Sequence, residues 1–215
     1  MSSMLTKFKR YFGTKLSYYF GTKLSYQDKR NSEQNWQLIK SQIGDDKSVL
    51  DVACDSGFYS LKFAEMGMFV IGFDILAKSL KKAKALAVSK NIDNVKFFEM
   101  SLTPDNVLKL PSFDSVLCLS VFHHFFRLYG EDQAKEMLRS LFKISKKQLY
   151  IQIPSKIGKY DKTFSIDFKG DKELTEKYIR DIFSNVTDSA VTYVGKKSEL
   201  PPTENYRYLF LVTRV

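Results

Sequence analysis

Apolar runs of strand length alternate with helical patterns along most of the chain, and this alternation limits the possible folds more than any other feature. KSVLDVAC, MFVIGFDI, VKFFEMS, FDSVLCLSV, KQLYIQIP, SAVTYVGK and YRYLFLVTRV read as strands. NSEQNWQLIKSQI, FYSLKFAEMG, AKSLKKAKALAVSKN, DQAKEMLRSLFKIS and DKELTEKYIRDIF read as helices. In the first helix Trp36, Ile39 and Ile43 share a face, and Asn31 or Ser32 is the expected cap. Gly67 is the expected stop of the second. The strand runs are almost continuously apolar, as in strands covered on both faces. The pattern predicts an α/β fold: a doubly wound, mainly parallel seven-stranded sheet with helices on both faces. The last two strands are joined by KKSELPPTEN, too short and proline-rich for a crossover helix. The last strand should therefore run antiparallel at one edge.

At 215 residues the chain has room for one domain with a full core. Its first 30 residues stand apart. YFGTKLSY occurs at Tyr11–Tyr18 and again, unchanged, at Tyr19–Tyr26. Two copies are too few for a solenoid, and the glycine in each argues against one continuous helix. Residues 1–30 are expected to form an appended basic and aromatic arm, with the folded domain at 31–215.

No run approaches the roughly 18 apolar residues of a membrane helix, so no membrane insertion is expected. The basic, aromatic N-terminus has no continuous apolar core of the kind a signal peptide carries. Only two cysteines occur, Cys54 and Cys118, both in apolar runs. Reduced thiols in a cytoplasmic protein fit this better than a disulfide framework. The formal net charge is +10. It suits a polyanionic partner such as RNA, or reflects a lysine-rich composition with little arginine, the better phosphate fork.

The segment VLDVACDSGFYS, Val49–Ser60, leads from a strand through a tight turn into a helix. In an open α/β sheet such a turn lines the ligand crevice. The next strand ends in Asp74, placed to accept hydrogen bonds from both hydroxyls of a ribose. The dinucleotide pattern G-x-G-x-x-G fails, because Asp55 and Ser60 stand where glycine partners of Gly57 would be. A pyrophosphate would also be repelled by Asp51 and Asp55. A nucleoside carrying positive charge would be attracted, and S-adenosylmethionine has an ammonium and a sulfonium.

VLDVACDSGFYS, VIGFDI and FDSVLCLSVFHHF together resemble the class I S-adenosylmethionine-dependent methyltransferases, over about Lys47 to Pro154. The family's first motif is D-x-G-x-G-x-G. Asp51 and Gly57 match its ends, while Ala53 and Asp55 replace its first two glycines. Ala53 fits if its φ is negative and the ligand is not pressed against its Cα. The resemblance implies that Asp51, Cys54 and Gly57 line the methionine end of the cofactor. It places Asp74 at the ribose and Ile75 beside the adenine. Ser101 falls where the family often has an acid facing the adenine amine, and Ser120 under the methyl-donor site.

The only two histidines, His123 and His124, are adjacent and follow the central strand. One could be a general base for an alcohol acceptor, giving a rate that rises with pH through the ordinary histidine range. Alternatively the pair is structural. A metal site is not expected, since no further Cys or His completes one. The expected activity is methyl transfer to a small-molecule acceptor. An RNA acceptor and an inactive, cofactor-binding partner subunit remain the alternatives.

Overall fold

Seven strands pair into one sheet: β1 (Ser48–Val52), β2 (Phe69–Asp74), β3 (Val95–Glu99), β4 (Phe113–Leu119), β5 (Ser145–Pro154), β6 (Ser189–Ser198) and β7 (Tyr206–Arg214). Their order is β3-β2-β1-β4-β5-β7-β6. Strands β3, β2, β1, β4 and β5 are parallel to their neighbours. β7 lies between β5 and β6 and runs antiparallel to both. The expected sheet is therefore present, with β6 rather than β7 at the edge. The computed structural model describes residues 26–154, 168, 170–198 and 206–215. The first YFGTKLSY copy and all of the second but Tyr26 lie outside the described residues, as does most of the segment after β5.

Among the described residues six helices cover the sheet: α1 (Tyr26–Lys40), α2 (Phe58–Glu65), α3 (Ala77–Ser89), α4 (Phe122–Tyr129), α5 (Glu131–Lys143) and α6 (Lys172–Phe183). On one face Trp36, Ile39, Leu61, Leu80 and Ala83 of α1, α2 and α3 pack against Val49, Leu117, Tyr150 and Leu209 of the strands. On the other face Phe122, Leu138, Leu141 and Ile179 of α4, α5 and α6 pack against Leu50, Val116, Ile151 and Phe210. Alternate residues of each strand thus point to opposite faces, as the pleat requires.

Two helical details depart from the expectation. α1 begins at Tyr26, so Asn31 and Ser32 sit inside the helix and do not cap it. The expected helix started at the hydrophobic face, while the polar turn before it is also helical. FHHFFRLY, not expected to be helical, forms α4. It is only two turns long, but Phe122, His123, Phe125 and Phe126 are all buried, the i, i+3, i+4 spacing of one apolar face. Asp171 caps α6 by accepting from the Leu174 N–H at 2.9 Å. α3 turns Lys78, Lys81, Lys82 and Lys84 outward to solvent while Leu80 and Ala83 are buried.

The crevice lies where β1 separates β2 from β4, at the carboxyl ends of the strands, where the strand order reverses. Gly72 of β2 brings the wall of this crevice close. A Cβ there would lie 2.9 Å from the Phe97 ring and from Ser60 Oγ, and 3.0 Å from Cys54 Sγ. Gly72→Ala should therefore overpack the core and cost about 1–3 kcal/mol. At roughly 2–4 °C per kcal/mol for a domain of this size, thermal melting should show a clear drop in Tm.

Candidate cofactor and acceptor site

The turn after β1 takes its shape from alternate residues. Ala53, Asp55 and Gly57 have φ of 57°, 48° and 78°, all left-handed. These are the positions at which D-x-G-x-G-x-G has glycine. The condition set for Ala53, a negative φ, is not met; the turn keeps the glycine conformation with an alanine in it. Such a residue costs about 1–2 kcal/mol, because its Cβ crowds the following carbonyl oxygen.

Several bonds hold the turn in place. The Cys54 N–H donates to the Phe73 carbonyl at 3.0 Å, and the Gly57 N–H to the Cys54 carbonyl at 2.8 Å. Aspartate tolerates the left-handed region better than most residues. The Asp55 carboxylate accepts from the Ser79 hydroxyl at 2.6 Å and the Ser56 hydroxyl at 3.2 Å. Gly57 is also required for space, since a Cβ there would lie 2.8 Å from the Phe97 ring.

Asp74 closes β2 and is 7% exposed. One carboxylate oxygen accepts from the Asp55 N–H at 2.9 Å and the other from the Leu76 N–H at 2.9 Å. The acid therefore has structural partners that its sequence position does not reveal. Each oxygen keeps a second lone pair. Burial raises its pKa, and the two backbone donors oppose the rise. Asp51 is 2% exposed and accepts from the Ser60 hydroxyl at 2.6 Å. Its pKa is pushed up to about 7 by burial, with the Asp74 and Asp55 charges adding to the effect against the Ser60 bond.

One cavity of about 350 Å³ gathers most of the predicted residues. Asp51, Ala53, Cys54, Asp55, Asp74, Ile75, Ser101, Ser120 and His124 line it. Gly57 and His123 do not; Gly57 shapes the turn behind it. At one end Ser101 lies beside Met100 and Leu102, and its carbonyl accepts from the Asn106 side chain at 2.9 Å. Among the described lining residues there is no lysine or arginine.

The opposite end is built by residues that no motif marks. Ser120 also has a left-handed φ of 60°. Its hydroxyl donates to Gln152 Oε1 at 2.7 Å, Gln152 Nε2 donates to Asn35 Oδ1 at 2.8 Å, and Asn35 Nδ2 donates to the Tyr59 oxygen at 2.8 Å. This buried chain ties β4, β5, α1 and α2 together. Ser120, Gln152 and Tyr59 all line the cavity. A polar residue in an apolar strand, such as Gln152, was the one available sequence signal.

The histidine rings stack with centroids 4.0 Å apart, but only His124 lines the cavity. His123 is 4% exposed and lies in the buried face of α4. Burial, then the neighbouring His124 and Arg207, hold its pKa well below the ordinary range. Burial and the Arg207 charge lower His124 to about 4. Both rings are thus neutral at pH 7, and a rate limb in the ordinary histidine range is not expected. Cys54 and Cys118 are free, buried thiols, and burial raises both pKa values.

The sequence profile of a family described as a methyltransferase domain matches residues 43–155, more than half of the chain. The chain belongs to that family. Solved magnesium protoporphyrin IX methyltransferases that share the fold hold S-adenosylmethionine or S-adenosylhomocysteine. The site fits a cationic group of that kind: three carboxylates, Asp51, Asp55 and Asp74, line the cavity, and Asp74 closes the strand next to the turn.

Among relatives, a bifunctional O-antigen chain terminator methyltransferase/kinase of Escherichia coli is 32% identical over 121 residues, covering 52% of this chain and 17% of that protein. The chloroplastic magnesium protoporphyrin IX methyltransferase of Arabidopsis thaliana is 28% identical over 139 residues, covering 61% of this chain and 41% of that protein. The chain thus spans less than half the length of these curated relatives. The crystal structure of magnesium protoporphyrin IX methyltransferase from Synechocystis PCC 6803 with bound S-adenosylmethionine superposes with a TM-score of 0.68 at 18% identity. It covers 99% of this chain and 97% of that one, and shows a shared fold.

Ala53→Gly should relieve the left-handed strain at a smaller entropic cost. A net gain of about 0.5–1 kcal/mol is expected, read as a Tm higher by roughly 1–4 °C. An unchanged or lower Tm would mean that the methyl group packs usefully in the turn.

Proposed function

We propose that the chain transfers the methyl group of S-adenosylmethionine to a small-molecule acceptor. The observation that carries this reading is the acidic, left-handed turn opening into a cavity whose described lining residues include no lysine or arginine. When bound, the cofactor supplies an electrophilic methyl group activated by its sulfonium. Asp51 and Asp55 face the positively charged methionine end, and Cys54 and Gly57 shape its seat. Asp74 receives ribose hydroxyls with the lone pairs its two backbone bonds leave over. Ile75 and Ser101 flank the adenine.

The apolar wall of Leu119, Val121, Phe125 and Leu128 excludes water from the acceptor, and Ser120 orients it. Displacement at a sulfonium needs chiefly an aligned nucleophile in a dry site. His124, the cavity-lining member of the pair, takes the proton of a hydroxyl acceptor. The basic face of α3 supports a second reading, an RNA acceptor, for which the arm at 1–30 would be the natural extension. The buried free thiols support a cytoplasmic setting.

The deciding experiment is transfer from tritiated S-adenosylmethionine into cell extract, separated into RNA, protein, lipid and small molecules. Label in the small-molecule pool is expected. Label in RNA alone would establish the second reading. Cofactor binding without label in any pool would point to an inactive partner subunit.

A cationic ligand favours the ionised form of Asp51, which without ligand is half protonated near pH 7. S-adenosylhomocysteine, whose ammonium remains, should bind about tenfold more tightly at about pH 8 than at about pH 6. Asp51→Asn should flatten that dependence in calorimetric titration. Without ligand the sign reverses: the raised pKa stabilises the fold at low pH, and this contribution is lost as pH rises through about 7.

With an acceptor in hand, His124→Asn should lower turnover by about 10²–10⁴ and leave cofactor affinity unchanged. His123→Asn should act through stability instead. Equal, few-fold effects from both would assign the pair to packing, with proximity alone carrying the reaction.

A further inference from the structure

We propose that Arg207 receives an oxyanion of the methyl acceptor, a carboxylate or a phosphate monoester, so that the substrate is a small anionic molecule. This rests on the small-molecule methyltransferase reading and narrows it.

The placement follows from strand register. Gln152 of β5, which lines the cavity, lies opposite Leu209 of β7, and Pro154 lies opposite Arg207. Gln152 bonds Asn35 of α1, and Leu209 packs with Trp36 and Ile39 of the same helix. Residues two apart on a strand share a face. Arg207 therefore projects on the α1 side, roughly 7 Å beyond Leu209 towards the carboxyl end of β5. That is the end at which the cavity opens. Arg207 is half-buried, and its Nη1 is fully buried.

Charge along the crevice is polarised. The lining acids Asp51, Asp55 and Asp74 belong to the β1 turn and the end of β2. β7 is three strands from β1 and four from β2, or about 14 Å and about 19 Å at the usual strand spacing. The guanidinium thus stands past Ser120 and Gln152, away from the cationic end of the cofactor. Its field reaches the groups around it: it contributes to the lowered pKa of His124. At Tyr59, which burial pushes up to about 12, it pulls in the opposite direction.

An anion seated there would be gripped by a planar fork suited to carboxylate and phosphate. The Tyr59 hydroxyl lies within the same field. The nucleophilic end of such a molecule would then point back along Gln152 and Ser120. The charged group held by Arg207 is not the one that is methylated, so the product keeps its negative charge.

The test uses the full chain saturated with S-adenosylhomocysteine, with benzoate and phenyl phosphate as probes and benzamide as the neutral control. At about ten times its Kd an effective probe should raise Tm by roughly 3–6 °C, and benzamide should not. The two anions distinguish a carboxylate from a phosphate site. Arg207→Met should weaken the effective probe roughly 10- to 100-fold while the shift caused by S-adenosylhomocysteine alone is unchanged. Arg207→Lys should keep part of the response, and it serves in place of the methionine variant if that one does not fold.

An equal probe response in Arg207→Met, or no response to either anion in the wild type, overturns the inference. So does weaker S-adenosylhomocysteine binding in the variant, which would assign the guanidinium to the carboxylate of the cofactor itself. In the tritium experiment, label should be retained on an anion exchanger and resist ribonuclease. Label in neutral small molecules overturns this inference and leaves the methyltransferase reading standing. Label lost to ribonuclease, or a wild-type chain that does not bind S-adenosylhomocysteine, overturns both.

Discussion

The carboxylate of Asp74 is the bond on which the site depends. It joins the turn after β1 to the start of α3 by accepting one backbone N–H from each, Asp55 and Leu76. Hydrogen bonds to a charged acceptor contribute about 1.5–3 kcal/mol apiece. Together they exceed the roughly 1–2 kcal/mol that a left-handed Ala53 costs. The clamp explains how the turn tolerates two substitutions at glycine positions. It also crowds three carboxylates into one crevice, with Asp51 fully enclosed. A cationic ligand relieves that crowding, so the group that shapes the turn also sets its preference for charge.

Much of this was legible in the sequence. The alternation of VLDVAC, VIGFDI and VLCLSV with amphipathic helices determines the parallel part of the sheet, because continuous apolar strands need cover on both faces. KKSELPPTEN announces the antiparallel return. Asp74 stands out as an acid ending a buried strand. What stayed hidden depends on contacts between distant residues. The glycine position that Ala53 occupies in the motif hints at a positive φ, but the alanine itself argues against it, and the bonds that hold the turn come from the distant Phe73 and Asp74. Gln152 and Asn35 meet across 117 residues. α4 is too short for its period to stand out, and the two histidines read as equivalent until the helix turns one inward and the other to the cavity.

The Ser120–Gln152–Asn35–Tyr59 chain gives this end of the cavity its rigidity. Asn35 is 0% and Gln152 2% exposed, and leaving either amide without a partner would cost about 1–3 kcal/mol. Both amides have a donor and an acceptor end, so rotating them together preserves all three bonds. Ser120 can then present either a lone pair or a proton to the cavity. α1, which carries no recognisable motif, is thereby part of the site wall.

The lysine face of α3 bears on the order in which ligands arrive. With a formal net charge of +10, the molecule repels cations and attracts anions out to about a Debye length, roughly 10 Å at 0.1 M salt, beyond which its field is screened. The acids of the crevice act only at short range. A cationic cofactor must therefore approach against the outer field before it meets the inner one, whereas an anionic molecule is drawn in from the start. Added salt would hasten capture of the first and slow capture of the second. Ionic strength alone thus shifts which of the two ligands reaches the crevice first.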